Sequence, residues 1–173
     1  RALFPQNKGF INLIYNASPL HDVGKIGIPD AILLKPGKFN SEEWEIMKKH
    51  TLYGSEIISN EDSKLMRIAK EIAITHHEKW DGSGYPAGLK GNDIPMSGRI
   101  VAVADVFDAL TTIRPYKSAW SVDEAIKYIN DESGKHFDPQ IVQAFNLVIN
   151  QFIQIKANYE ENSEDNNIDL MKY

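Results

Sequence analysis

The chain has 173 residues, 42% of them hydrophobic, and a formal net charge of −5. That length suits one domain with a real core, and the acidic balance excludes a general nucleic-acid binder, which needs a basic surface. There is no cysteine, so disulfide frameworks and thiolate metal sites are excluded; the composition suits a reducing cytoplasm, and no apolar run reads as a membrane span or a signal peptide.

Most segments read as helices. Phe10 to Tyr15 is an apolar helical run, and Pro19 opens a further turn, "PLHDVGK". Gly24, Gly27 and Pro29 break the chain into a loop, and Pro36-Gly37 marks another turn. Asn40 or Ser41 caps a helix through about Ser59, with Glu43 placed for a capping box. Asp62 caps a helix to about His77. "WDGSGYPAGLKGNDIP" carries too many glycines and prolines for regular structure. Ser97 begins the apolar helix "RIVAVADVFDALTTI", and "SVDE" from Ser121 caps another that ends near Gly134. Asp138-Pro139 starts a last helix to about Ala157. The remainder is acidic and Asn-rich and reads as a disordered tail. No segment offers a period-two strand, so the fold class is all-α.

Ile100, Val101, Val103, Val106, Phe107, Leu110 and Ile113 wrap most of the Ser97 helix, which is therefore largely buried. Asp105 and Asp108 lie within that run, and a buried carboxylate needs a partner, hydrogen bonds or a metal. His50 falls on an inward stripe with Ile46, Met47 and Trp44, and Gly54 leaves room beside it. Taken singly, each reads as a satisfied core residue. Together, His21, Asp22, His50, His76, His77 and Asp105 all lie in or beside buried helical stretches. Imidazole and carboxylate without sulfur suit iron, manganese or zinc, and an aspartate can bridge two ions. Adjacent helical residues point about 100° apart. His76 and His77 can thus serve one ion only if the helix loosens there, as the glycine-rich loop just beyond allows, or else line two neighbouring ions.

The segments "PLHDVGKIGIPD", "MKKHTLYG", "HHEKWDGSGYPAGLKGNDIP", "RIVAVADVFDALTTIRPYK" and "GKHFDP" resemble, in order and spacing, the HD-GYP family. The resemblance runs from about residue 8 to 150. It implies a helical bundle of the HD-domain type with a metal centre in its core, built by residues 1–158, with 159–173 as the acidic tail. It implies a bacterial, cytoplasmic phosphodiesterase that hydrolyses cyclic di-GMP to pGpG and onward to GMP. His21, Asp22, His50, His76, His77 and Asp105 become ligands of two or three divalent ions, iron or manganese foremost and zinc a further candidate. Lys25 resembles the active-site lysine, beside Asp22 as the bridging acid. Arg114 and Lys117 resemble the phosphate-gripping cations, and Gly84, Tyr85 and Pro86 are the namesake residues, with Tyr85 placed to stack on a guanine. Glu78, Trp80 and Asp81 are read as orienting ligands and setting the loop, and His136 as structural. The partners implied are cyclic di-GMP, a diguanylate cyclase, an upstream sensor domain and a second copy of the chain as a homodimer; large nucleic acids and direct membrane contact are not implied.

One departure qualifies the resemblance. Family members carry a further Glu and His on a helix upstream of the His-Asp pair, and the twenty residues before His21 contain neither. The chain therefore reads as a family member truncated on its N-terminal side. The site using Asp22, His50, His76 and His77 keeps its ligands; the neighbouring site, using His21, Asp22 and Asp105, loses at least one. The alternatives are a degenerate domain that senses cyclic di-GMP or contacts other proteins, another HD-type nucleotide phosphohydrolase, and a di-iron oxygen carrier. The last prefers His and Glu at i+3 or i+4 spacing, which this chain lacks.

Overall fold

A computed structural model describes residues 8–58, 62–112 and 119–170, the last fifteen of these as backbone only. Among the described residues eight α-helices run in order: α1 (Lys8–Ala17), α2 (Asp30–Leu33), α3 (Ser41–Lys48), α4 (His50–Ile57), α5 (Lys64–Thr75), α6 (Met96–Thr111), α7 (Val122–Asp131) and α8 (Pro139–Leu170). Short 3-10 turns at Ser18–Leu20 and Val23–Gly27 flank His21 and Asp22. No strand forms among the described residues, so the all-α expectation holds. No described helix is long and apolar enough to cross a membrane.

Local chemistry explains most boundaries. Asn40 Oδ1 accepts the Glu43 N–H at 2.9 Å while Glu43 Oε2 accepts the Asn40 N–H at 2.8 Å, a reciprocal box opening α3. Ser121 and Glu124 do the same for α7. Asp138 Oδ1 accepts the Gln140 N–H at the start of α8. Asp62, expected to cap α5, does not hold that position: Ser63 does, without a side-chain cap.

Two longer-range differences stand out. The helix expected from Ser41 to Ser59 is broken at Lys49 into α3 and α4. No glycine or proline marks the break; the constraint is tertiary, because the Val23–Gly27 turn lies flat against the first turn of α4. A Cβ on Gly24 would fall 1.9 Å from the His50 carbonyl oxygen and 2.3 Å from the Gly54 nitrogen. The last helix runs to Leu170, through the segment expected to be irregular from residue 159. After Pro139 it contains neither glycine nor proline, so nothing local stops it.

Helix α6 is the spine. Val101 joins Ile14, Ala17, Ile58, Ala69, Ile72 and Ala73 of α1, α4's end and α5 in one core. Val103 and Phe107 join Ala125, Ile129, Phe137, Ile141, Val142 and Phe145 in a second core with α7 and α8. A third cluster, Ile28, Ile32 and Met47, sits under α2 and α3. Arg99 ties α6 to the start of α8 through Asp138 at 2.8 Å. Glu71 on α5 accepts the Ser97 hydroxyl of α6, where Gly98 presses against Thr75.

Two outcomes follow. Gly24→Ala forces backbone against backbone and is expected to cost about 3 kcal/mol or more, measured as the shift of the urea midpoint; an unchanged midpoint would contradict the close approach. His136 stacks on Phe137, 4.2 Å between centroids, and burial, with the Lys79 charge nearby, lowers its pKa to about 4. The folded pKa lies below the unfolded value, so stability is full above about pH 6.5 and is lost as pH falls toward 4, on the order of 3 kcal/mol. His136→Gln should flatten the melting temperature across that window relative to the parent chain.

Candidate metal centre

His21 and Asp22 sit between the two 3-10 turns, on a backbone pinned by the Ser18 carbonyl, which accepts the His21 N–H at 3.1 Å. His50 follows the break at Lys49, His76 caps the C-terminus of α5, and Asp105 projects from α6. Helix α5 ends at Thr75, so the two adjacent histidines leave the regular spiral. Their rings come within 4.0 Å, and the divergence an intact helix would impose is avoided.

One ligand atom from each of Asp22, His50, His76 and His77 lies within 4.8 Å of the others. Asp22 Oδ1 is 3.4 Å from His50 Nε2 and 3.8 Å from His76 Nε2. Asp22 Oδ2 faces the other way, 3.3 Å from His21 Nε2 and 2.5 Å from Lys25 Nζ. His21 Nε2 also lies 3.7 Å from Asp105 Oδ1. The carboxylate thus has one oxygen in each of two compartments, and six residues from four parts of the chain converge on it.

The ring orientations are fixed from behind. Nδ1 of His21, His50 and His76 sits 2.7 Å from the Ser18 carbonyl, 2.7 Å from the Met47 carbonyl, and 3.1 and 3.0 Å from the Ile72 and Ala73 carbonyls. A carbonyl only accepts, so Nδ1 carries the proton, and in a neutral ring the Nε2 lone pair is free for a metal. His50 and His76 are each 1% exposed. Their Nε2 atoms, with Asp22 Oδ1, are buried and have no hydrogen-bond partner among the described residues. Three such orphans cost about 1–3 kcal/mol each unless something binds them. A divalent ion with a taste for nitrogen and oxygen fits this donor set.

The electrostatics agree. Burial lowers the His50 pKa, and burial together with the His76 and His50 charges lowers that of His77 to about 2. Both are neutral at pH 7, as ligation requires. Burial opposes the charge on Asp22, but the neighbouring His21 and His76 rings and the Lys25 ammonium outweigh it and hold the carboxyl well below the usual range. His21 differs: burial opposes its charge, but the Asp105 and Asp22 carboxylates outweigh it and raise the pKa to about 10, so an ion on that side would have to displace the Nε2 proton.

The loop after His77 forms one wall. Tyr85 lies 4.8 Å from the His77 ring and 6.5 Å from that of His50; burial, then the Asp22 and Asp105 charges, keep its phenol protonated. Gly84 packs on the backbone it has just left: a Cβ there would meet the Lys79 nitrogen at 2.3 Å and the Glu78 Cα at 2.5 Å. Pro86 follows a cis peptide bond. Glu78 is buried, and its two oxygens accept the Ala87 and Leu89 N–H groups at 2.8 and 3.0 Å. It sets the loop, as do Trp80 and Asp81, whose N–H groups donate to the His136 and Lys135 carbonyls.

Some expectations fall elsewhere. Arg114 and Lys117 lie outside the described residues. Asp108 is exposed and accepts from the Thr112 hydroxyl at 3.2 Å, away from the cluster. Trp44, expected on an inward stripe, is 42% exposed and meets Tyr85 edge-on at 5.9 Å. The break at Lys49 puts Trp44 and His50 on different helices, so the stripe does not continue. Trp44, Phe39 and Lys48 beside Tyr85 were not singled out as site residues from sequence; the i, i+4 pairing of Trp44 with Lys48 is the signal that carries them.

Comparison with known proteins places this arrangement. The model of the HD domain family matches residues 7–141. The chain is 54% identical over 146 residues to a 3'3'-cGAMP-specific phosphodiesterase 2 of Vibrio cholerae, covering 84% of this chain and 28% of that protein. It is 56% identical over 136 residues to a cyclic di-GMP phosphodiesterase of Thermotoga maritima, covering 79% of this chain and 37% of that protein. The chain thus spans about a third of the length of these curated relatives. A crystal structure of a cyclic GMP-AMP specific phosphodiesterase from V. cholerae shares the fold, with a TM-score of 0.51 and 22% identity over 85% of this chain and 40% of that one. With its His-Asp pair, doubled histidine and Gly-Tyr-Pro loop around one carboxylate, the chain belongs to the HD domain family, in its HD-GYP branch.

Proposed function

We propose that this chain hydrolyses a phosphodiester bond of a cyclic dinucleotide, converting cyclic di-GMP to linear pGpG and then to GMP, at a centre of two divalent ions. The observation that carries the reading is the convergence of Asp22 Oδ1, His50 Nε2 and His76 Nε2 as buried, unpartnered atoms around one point. Relatives named for cyclic di-GMP and for 3'3'-cGAMP support the substrate class. Iron or manganese, with zinc as a third candidate, suits imidazole and carboxylate donors. The cysteine-free chain fits a bacterial cytoplasm as the setting.

Asp22, His50, His76 and His77 would hold one ion, and Asp22 with His21 and Asp105 would face a second. Such ions supply Lewis acidity toward a phosphoryl oxygen and acidify water. The chain supplies the rest. Asp22 presents one oxygen to each side. Lys25, beside Asp22 Oδ2, places an ammonium where negative charge builds on the phosphoryl oxygens. The backbone carbonyls behind His21, His50 and His76 hold three imidazoles in the orientation the reaction needs before substrate arrives. Tyr85 walls the site with a neutral ring. Arg114 and Lys117 are assigned the phosphate grip on their sequence motif alone.

The purified chain should carry iron or manganese by elemental analysis and turn over cyclic di-GMP by chromatographic assay. Asp22→Asn and His76→Ala should each lower bound metal by at least half and turnover by at least about 100-fold. Wild-type metal content and turnover in His76→Ala would overturn the reading. Metal-loaded chain that binds cyclic di-GMP tightly without turnover would select the sensor reading instead. Manganese added to stripped protein should also raise the melting temperature, about 2.7 kcal/mol of stabilisation at 100 times the dissociation constant; no rise would argue against a built site.

A further inference from the structure

Trp44 stands 42% exposed at the edge of the centre. Its ring stacks on Phe39, 6.3 Å between centroids with 22° between planes, and meets Tyr85 at 5.9 Å and 81°. Tyr85 lies 4.8 Å from the His77 ring. Trp44 is therefore two ring-to-ring steps from a metal ligand. It is supported by aromatic neighbours yet left open, and no core cluster includes it. Lys48, one helical turn on, shares that side of α3. Its Nζ lies 5.9 Å from the Tyr85 centroid and 2.7 Å from Glu45 Oε1. An open aromatic face and an ammonium thus stand side by side, with the acid that orients the ammonium.

That pairing has a matching ligand chemistry. A nucleobase stacks on an aromatic face whatever its identity. A lysine discriminates, because guanine offers O6 and N7 as adjacent acceptors whereas adenine replaces one with an N6 donor. We propose that Trp44 and Lys48 form an outer subsite that stacks and reads a guanine of the cyclic dinucleotide, with Trp44 supplying the platform and Lys48 the selection against adenine. The inference rests on the cyclic-dinucleotide reading above and deepens it. It bears on the difference between a ligand with two guanines and one with a guanine and an adenine: the mixed ligand is held in a single orientation, its guanine outward.

The test is calorimetric titration of the manganese-loaded chain with phosphorothioate analogues of cyclic di-GMP and of cyclic di-AMP, which resist turnover. Trp44→Ala should weaken cyclic di-GMP binding about tenfold or more, and Trp44→Phe should recover most of the loss. Lys48→Met should weaken cyclic di-GMP about five- to tenfold and cyclic di-AMP less than twofold. Melting temperatures within a few degrees of the parent show that the variants are folded, and Trp44→Leu, which keeps bulk but offers no aromatic face, carries the test if Trp44→Ala is not. Wild-type affinity in Trp44→Ala, equal losses for both ligands in Lys48→Met, or no saturable binding by the parent chain overturns the subsite. If these losses appear but manganese-loaded parent chain hydrolyses nothing, the phosphodiesterase reading falls and the subsite stands. If hydrolysis is normal and Trp44→Ala binds like the parent, the subsite alone falls.

Discussion

The structure depends on one interaction: a backbone carbonyl behind an imidazole holds Nδ1 and so aims Nε2. In each case that carbonyl lies three or four residues earlier. Ser18 serves His21, Met47 serves His50, and Ile72 with Ala73 serves His76. Each of these histidines stands at a helix end or a helix break, and the Ser18 and Ile72 carbonyls accept the backbone N–H of His21 and His76 as well. The interruptions at Leu20, Lys49 and Thr75 are thus where ligands become possible. The acceptor that fixes each ring is locally encoded, and the tertiary fold has only to bring the three ends together.

Glycine performs that second task. Gly24 lets the turn after Asp22 settle against the His50 carbonyl and Gly54. Gly98 lets α6 approach Thr75, and so sets the helix that carries Asp105 against the one that ends in His76. Neither position needs an unusual backbone conformation; what each needs is the absence of a side chain. The cores above and below α6 then hold the assembly, with Val101 and Val103 of the same helix anchored in different clusters.

Much of this was legible in the residues. The all-α class, the two capping boxes and the buried α6 follow from periodicity and from side chains that satisfy helix ends. The convergence of His21, Asp22, His50, His76, His77 and Asp105 follows from the scarcity of histidine and the cost of burying acids. What was not legible had tertiary causes. The break at Lys49 has no local signal, and neither does the exposed position of Trp44 beside Tyr85. Asp108 lies three residues from Asp105, yet an apolar run wrapped around a helix does not say which acid finds the cluster and which finds water. The length of α8 escaped because an acidic, Asn-rich composition argues for an irregular chain, while the absence of any breaker permits a helix.

Glu78 follows His77 directly and clasps the loop at Ala87 and Leu89. The twelve residues from Glu78 to Leu89 are therefore closed into a ring by two hydrogen bonds to one buried side chain. Swinging the Tyr85 side open would strand a buried carboxylate, so this rim behaves as a doorframe rather than a door. The wall that Tyr85 forms beside His77 is thus set by one side chain's pair of bonds, so a change at Glu78 would be felt at a ring it never touches.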